Sequence, residues 1–439
     1  MRPSARIAAL IELLTEVEEG IATGGTPADV LVNQYFRARR YAGSKDRRAI
    51  TEMLYAILRE RELLLWATGD RACARNLALA HFVFHDPEAL VLLEEAGPFS
   101  AEPLTELERT LISELKEIDL SAAPSNVQHN IPEWAATEFS QRFGDLLSDG
   151  AEALNREAPV DLRPNTLKVE MDFLNQFIKN TEVFEKTKLS PFAVRSEKNI
   201  GLGGIKEYKS GKLEVQDEAA QVASLLVGAK PGMQVADMCA GAGGKALLVS
   251  SQMSNKGQLY AFDNSGKRLA ECKKRIERSG SRNIQVTQLA TEGSVRSAKL
   301  AGMSKKCDRV YVDVPCSGTG TWRRSPDQRW RLDAAKLNDL TEIQYNLLSE
   351  AAGLVKQDGR LLYMTCSVLP LENEVVVQRF LKEEAGAWLL CDYRETWAET
   401  VGTDCPETCS TIPETLQLVP HVHETDGFFV AIFERASTS

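Results

Sequence analysis

Nowhere in the 439 residues does an apolar run approach the ~20 residues of a membrane-spanning helix, so no membrane partner is expected. The N-terminus, Met1–Arg2–Pro3–Ser4–Ala5–Arg6, leads into an amphipathic helical pattern without the unbroken apolar core of a signal peptide, and a cytoplasmic protein is expected. Paired cysteine motifs are missing: Cys405 and Cys409 stand as a lone C-x3-C, which argues against zinc, and unpaired cysteines suit a reducing compartment. His81 and His85 have the i, i+4 spacing of a metal pair. Leu77, Phe82, Val83 and Phe84 surround them, however, and no acid lies between, so they read as a structural helix face and no metal is expected. An excess of positive charge is also missing. With 52 Lys and Arg against 62 Asp and Glu, the formal net charge of −10 excludes a protein coated in basic surface. No internal repeat or low-complexity tract is present; the 43% apolar content is that of an ordinary globular chain, long enough for two or three domains and expected to be a monomer.

Two stretches in the C-terminal half carry the strongest signal. Val310–Tyr311–Val312–Asp313–Val314–Pro315–Cys316–Ser317–Gly318–Thr319–Gly320 reads as an apolar strand ending in a carboxylate and a Pro-Cys turn. Gly359–Arg360–Leu361–Leu362–Tyr363–Met364–Thr365–Cys366 reads as a second strand ending in a cysteine. In an open α/β sheet, ligands sit beyond the carboxyl ends of strands, so both thiols are aimed at one crevice. The competing reading is plain core packing, because free cysteine is among the most buried residue types. Upstream, Met233–Gln234–Val235–Ala236–Asp237–Met238–Cys239 reads as a buried strand. The loop Ala240–Gly241–Ala242–Gly243–Gly244–Lys245 turns it directly into a helix. The spacing of a P-loop is absent, leaving a nucleotide, a dinucleotide or S-adenosylmethionine open. A further strand, Gly257 to Asp263, ends in an acid about 20 residues past the glycines, where a ribose hydroxyl pair wants an acceptor. Asp263–Asn264–Ser265 would equally cap the next helix, and the two roles are compatible.

Together these residues resemble the RNA cytosine-C5 methyltransferases of the Sun/NOL/NOP (RsmB-like) family. The family's D-x-C-A-A-P-G-G-K-T loop stands here as Asp237 to Ala246, its D-A-P-C-S-G-x-G motif as Asp313 to Gly320, and its T-C-S-x-x-P-x-E-N-E motif as Thr365 to Glu374. Leu162 to Lys168, Val215 to Ala220 and Asp426–Gly427–Phe428–Phe429 are similar to further family elements. Two departures bear on cofactor affinity more than on chemistry. Ala242 replaces the loop proline beside Gly241, and Ala290 or Thr291 stands where the family has an adenine-contacting Asp after the third strand.

The resemblance implies a Rossmann-like class I methyltransferase sheet of α/β class. It implies S-adenosyl-L-methionine held by Cys239, Ala240, Gly241, Ala242, Gly243, Gly244, Lys245, Asp263 and Asp313, and RNA contacts from Arg163, Asn165, Lys168 and Arg323. Methylation of cytosine C5 needs a thiolate to add to C6, which makes C5 nucleophilic, and an acid to meet charge developing at N3. Spacing does not decide which cysteine attacks. By resemblance to DNA methyltransferases it would be Cys316; by resemblance to the RNA family it is Cys366, with Cys316 assisting product release and Asp313 contacting N3.

Residues 1–125 are expected to form a helical NusB-like RNA-binding domain, with Ile7, Leu10, Ile11 and Leu14 on one apolar face and Ile50, Met53, Leu54, Ile57 and Leu58 on another. Residues 131–230 are expected to be a small α/β connector or RNA-binding subdomain, and 231–435 the methyltransferase domain. Basic clusters at Arg37 to Arg48, at Lys273–Lys274–Arg275 and at Arg323, Arg324, Arg329 and Arg331 offer local positive surface, though each alone reads as a solvated face. Trp322 and Trp330 could stack on bases, but core packing is the stronger reading. The expected substrate is 16S-type ribosomal RNA. The alternatives are transfer RNA, or a noncatalytic RNA-binding ribosome assembly factor.

Overall fold

The computed structural model describes residues 1–436 apart from 95, 96, 98, 171 and 199. The chain divides into two compact units, Met1–Arg156 with Trp322–Ala334, and Glu157–Thr321 with Ala335–Ser439.

The first unit is helical. Helices Pro3–Ala22, Ser44–Arg59 and Ala74–His85 enclose a core in which Leu10, Leu13, Leu14, Val17, Ile50, Leu54, Ile57, Leu58 and Leu77 are almost fully buried. Ile11 and Met53 pack at its margin. Helix Glu106–Glu117 starts with a capping box, Thr105 bonding the backbone N–H of Glu108 and Glu108 reaching back to that of Thr105. Helix Ala28–Ala38 follows Pro27, which offers no side-chain cap. The orphan N–H of Ala28 instead donates to Asp327 Oδ2 at 3.0 Å.

That carboxylate belongs to the segment Trp322–Ala334, which the chain threads into the helical unit. Trp322 is 1% exposed and stacks on Phe139, with ring centroids 5.1 Å apart. Arg329, equally buried, donates from Nη1 to Asn130 O at 3.0 Å and to Asn155 Oδ1 at 2.5 Å. Burial pushes its guanidinium pKa down to about 9. Trp330 Nε1 donates to Leu58 O, and Arg331 reaches the carbonyls of Gly20, Gly25 and Thr26. Both tryptophans are packing residues here, and these two arginines satisfy helix ends and loop carbonyls.

The second unit begins with a small antiparallel sheet of β1 (Val160–Pro164), β2 (Glu185–Lys186), β3 (Val194–Ser196) and β4 (Leu213–Val215), in the order β2-β3-β1-β4 among the described residues. Helix Asp172–Thr181 covers it through Leu174 and Phe177. The main sheet contains β5 (Gln234–Asp237), β6 (Gln258–Asp263), β7 (Ile284–Gln288), β8 (Cys307–Asp313), β9 (Val355–Thr365), β10 (Trp388–Cys391), β11 (Leu416–Leu418) and β12 (Phe428–Arg435). Their order is β10-β12-β9-β8-β5-β6-β7, with β11 also paired to β12. Strands β5 to β9 run parallel and β12 is antiparallel to β9. The sheet is Rossmann-like, as expected. Its order reverses between β5 and β8, which opens a crevice at their carboxyl ends. The middle strands read as continuous apolar runs because both faces are covered: Val310, Tyr311 and Val312 have no measurable exposure.

Candidate active site

At that crevice lies a cleft of about 970 Å³, within the second unit, lined by the ends of β5, β6 and β8 and by Cys366 beyond β9. The glycine-rich loop forms one wall. Gly241 and Gly243 adopt φ of +54° and +83°, conformations that side chains other than Gly resist, and a Cβ on Gly243 would lie 2.6 Å from the Cys272 sulfur. The Gly241 N–H donates to Asp263 Oδ2 at 2.8 Å, so the carboxylate ending β6 holds this loop while facing the cleft. Its other oxygen accepts the Ser265 N–H at 2.7 Å, and Ser265 caps helix Gly266–Ser279.

The charged floor is built by two strand-end carboxyls, Asp237 and Asp313, and by Lys245 in the first turn of helix Gly244–Gln252. Lys245 Nζ lies 2.5 Å from Asp313 Oδ2. Burial works against the ammonium, but the attraction of Asp313 outweighs it and holds the lysine pKa above its ordinary value. Asp237 is fully buried; desolvation pushes its pKa up to about 7, opposed by a 2.8 Å bond from Tyr311 and reinforced by the charge of Asp313. Five acids and three bases line the cleft. This balance suits a cationic ligand carrying hydroxyl groups and disfavours a polyphosphate.

The two cysteines meet at its end, with Cys316 Sγ 3.4 Å from Cys366 Sγ. The bond to Cys366, burial and the nearby Glu372 together hold the Cys316 thiol well above its ordinary pKa, so Cys316 keeps its proton. Behind the pair lies a buried carboxylate with no cation against it among the described residues. Glu372 has no exposure, and it accepts the Ser317 N–H at 2.8 Å, the Ser317 and Ser367 hydroxyls at 2.5 Å each and the Gln344 amide at 2.9 Å. One side chain thus ties together the loops that carry Cys316 and Cys366. The Gly320 N–H donates to Cys366 O, and the Gly427 N–H donates to Gly320 O, each at 2.9 Å. A Cβ on Gly320 would fall 2.2 Å from the Gly427 carbonyl oxygen, which explains glycine at both positions.

Residues 224–434 match the family model described as 16S rRNA methyltransferase RsmB/F. Those residues carry an RsmB/F methyltransferase domain. It is 28% identical to the probable ribosomal RNA small subunit methyltransferase B of Synechocystis sp., over 89% of this chain and 92% of that protein. It is 24% identical to the ribosomal RNA small subunit methyltransferase B of Erwinia tasmaniensis, over 94% of this chain and 96% of that protein. Among solved structures, that of PH0851 is 25% identical with a TM-score of 0.77 and covers 99% of each chain. A methyltransferase homologue from Pyrococcus horikoshii is 26% identical with a TM-score of 0.59, covering 72% of this chain and all of that one.

Within this RsmB/F domain, the cleft brings together Cys239, Ala240, Gly241, Ala242, Gly244, Lys245, Asp263, Asp313, Cys316 and Cys366, while Gly243 sits behind the loop against Cys272. Where the family pattern has an acid after the third strand, Thr291 and Glu292 face the cleft and Ala290 does not line it. The residues expected to contact RNA lie elsewhere. Arg163 is 1% exposed and donates to Gln216 Oε1 at 2.6 Å and to Gly244 O at 3.3 Å, bracing the glycine loop from behind. Asn165, also buried, donates to Gly211 O and Ser279 O. Lys168 has an exposed stem, but its ammonium holds Ser210 O and Arg278 O. Arg323 is buried in the helical unit. Sequence reasoning missed Glu372 and Gln344. Glu372 was visible inside the Thr365 to Glu374 motif as the first acid after Pro370–Leu371; Gln344, midway along helix Ala334–Ala352, carries no local signal.

Proposed function

We propose that this protein methylates C5 of a cytosine in RNA, with 16S-type ribosomal RNA as substrate and S-adenosyl-L-methionine as methyl donor, through a covalent bond from Cys366 to C6. The observation that carries the reading is the Cys316–Cys366 pair, 3.4 Å apart at neighbouring strand ends beside the Lys245–Asp313 ion pair. The names of the relatives from Synechocystis and Erwinia support the choice of ribosomal RNA.

The residues present fit the donor. Cys239 to Gly244 and Asp263 would hold its adenosyl part, and the carboxylate-rich floor with Asp313 its cationic end. Bound there, it supplies a methyl group on a positively charged sulfur. The chain supplies the rest. Cys366 adds to C6 as a thiolate, and the electron density displaced onto N3 is met by a proton held between N3 and the Asp313 carboxyl, while the Lys245 ammonium balances the carboxylate. Cys316, kept as a thiol by its surroundings, gives its proton to the Cys366 sulfur as the C6–S bond breaks, and the Cys316 thiolate so formed takes the C5 proton, leaving both cysteines as thiols.

Residues 1–125 are proposed as the NusB-like RNA-binding domain and 131–230 as the connector to the methyltransferase domain at 231–435. Arg163, Asn165 and Lys168 act in this scheme by positioning the glycine loop and the turn at Gly211, and RNA contact falls to other side chains.

The test is covalent trapping. Cys316→Ala with substrate RNA should accumulate a denaturant-resistant protein–RNA adduct on gels, and Cys366→Ala should form none. The reverse pattern would exchange the two roles. Bisulfite sequencing of ribosomal and transfer RNA from cells with and without the gene should show one protected cytosine lost from ribosomal RNA; loss confined to transfer RNA would move the substrate.

A further inference from the structure

We infer that the helical unit carries a divalent metal site, formed by Glu60, His81 and His85 and suited to Zn²⁺. The two histidines lie one turn apart on helix Ala74–His85, so their imidazoles leave the same face, with ring centroids 5.0 Å apart. The sequence places no acid between them, and the fold brings one from another element. Glu60 is the single residue joining helices Ser44–Arg59 and Arg61–Thr68. Its Oε2 lies 3.3 Å from His81 Nδ1 and 2.9 Å from His85 Nε2, and all three donor atoms fall within 4.8 Å of one another.

Those separations match a metal's first shell. Zinc bonds to imidazole nitrogen and carboxylate oxygen are ~2.0–2.2 Å, which around a tetrahedral centre places neighbouring donors roughly 3.3 Å apart. One pair already has that spacing, and a second is within about half an ångström of it. The donor set, two imidazoles and a carboxylate, is one that zinc accepts with water in the fourth position. His81 is only 10% exposed and fixes the inner side, while His85 at 48% leaves room for that water. Among the described residues, no lysine or arginine forms an ion pair with Glu60, so the carboxylate is not already neutralised by a fixed cation. An ion here would staple the junction of two helices to a third and favour the folded unit by mass action.

The full-length protein is stripped with chelator and titrated with Zn²⁺ by calorimetry and by thermal unfolding, alongside His85→Ala and Glu60→Gln. The expected result is one equivalent bound, a rise in Tm, and an affinity reduced tenfold or more in each variant. Co²⁺ in place of zinc should give a visible ligand-field band without a thiolate charge-transfer band. A Tm rise and affinity unchanged in both variants would place the ion on the cysteines and overturn the site. Absence of binding to the wild-type chain would leave Glu60 as a proton-bridged partner of the two imidazoles and overturn it equally.

Discussion

Asp237 is a carboxylic acid whose burial sets its pKa at about 7, against 3.8 for the free group. The protonated form is favoured by folding, so its contribution to stability is complete below about pH 4 and is lost as pH rises through about 7. Asp237→Asn removes that loss while keeping an acceptor for the Tyr311 hydroxyl. By calorimetry on ligand-free protein, the variant's Tm advantage should grow between about pH 5 and about pH 8. An advantage independent of pH would mean that the carboxylate is hydrated. Glu372 calls for the opposite change. Truncation to Ala strands several buried donors at about 1–3 kcal/mol each, so Glu372→Ala should lose about 3 kcal/mol or more in urea unfolding. Glu372→Gln keeps the volume but turns an N–H₂ toward hydroxyls that were donating. Its adduct yield should fall before its Tm does, because both cysteine loops lose their common tie.

Between elements, the tightest approach in the active-site region is that of Gly320, in the turn after Cys316, to Gly427, just before β12. Gly427→Ala would set a Cβ 2.5 Å from Val368 Cγ1 and 2.7 Å from the Gly320 Cα, and the Cys316 turn must then shift. A displacement near 1 Å of a reacting group costs on the order of 100-fold in rate. Methyl incorporation should therefore fall about that much with the helical content of the protein unchanged; a change below about threefold would show that the turn accommodates the methyl group. These elements were also the most legible in the sequence. Asp237 to Lys245, Asp313 to Gly320 and Thr365 to Glu374 each bring strand, turn and reactive group in one contiguous run, so local pattern was enough to place them at one crevice. Arg163 and Asn165 were not legible in that way. Their acceptors Gly244 and Ser279 lie 81 and 114 residues away in sequence, and no local period says that a donor faces inward toward a distant carbonyl.

At the scale of the molecule, the stretch after the Cys316 turn read in sequence as core at its tryptophans and as a solvated basic face at its arginines. Trp322 is an interior residue of the helical unit as read, but Arg329 is interior too, because carbonyls at Asn130 and Leu154 await it there as the ring of Phe139 awaits Trp322. Composition alone does not distinguish an arginine that meets phosphate from one that closes a helix end. Trp322→Ala should destabilise the helical unit by about 3–5 kcal/mol, read as faster amide exchange in helix Glu133–Phe143. Equal exchange in variant and wild type would mean that the segment merely rests on the helices. The threading also bears on how the protein is made. When Arg156 leaves the ribosome, the helical unit still lacks Trp322–Ala334, which arrives about 180 residues later. At ~5–20 residues per second that is a wait of roughly ten to forty seconds, during which Phe139 and Trp134 have no partner from that segment. A nascent chain of this protein is therefore most exposed to chaperones and proteases midway through its own synthesis, and release from that exposure comes only with the codons just after the Cys316 turn.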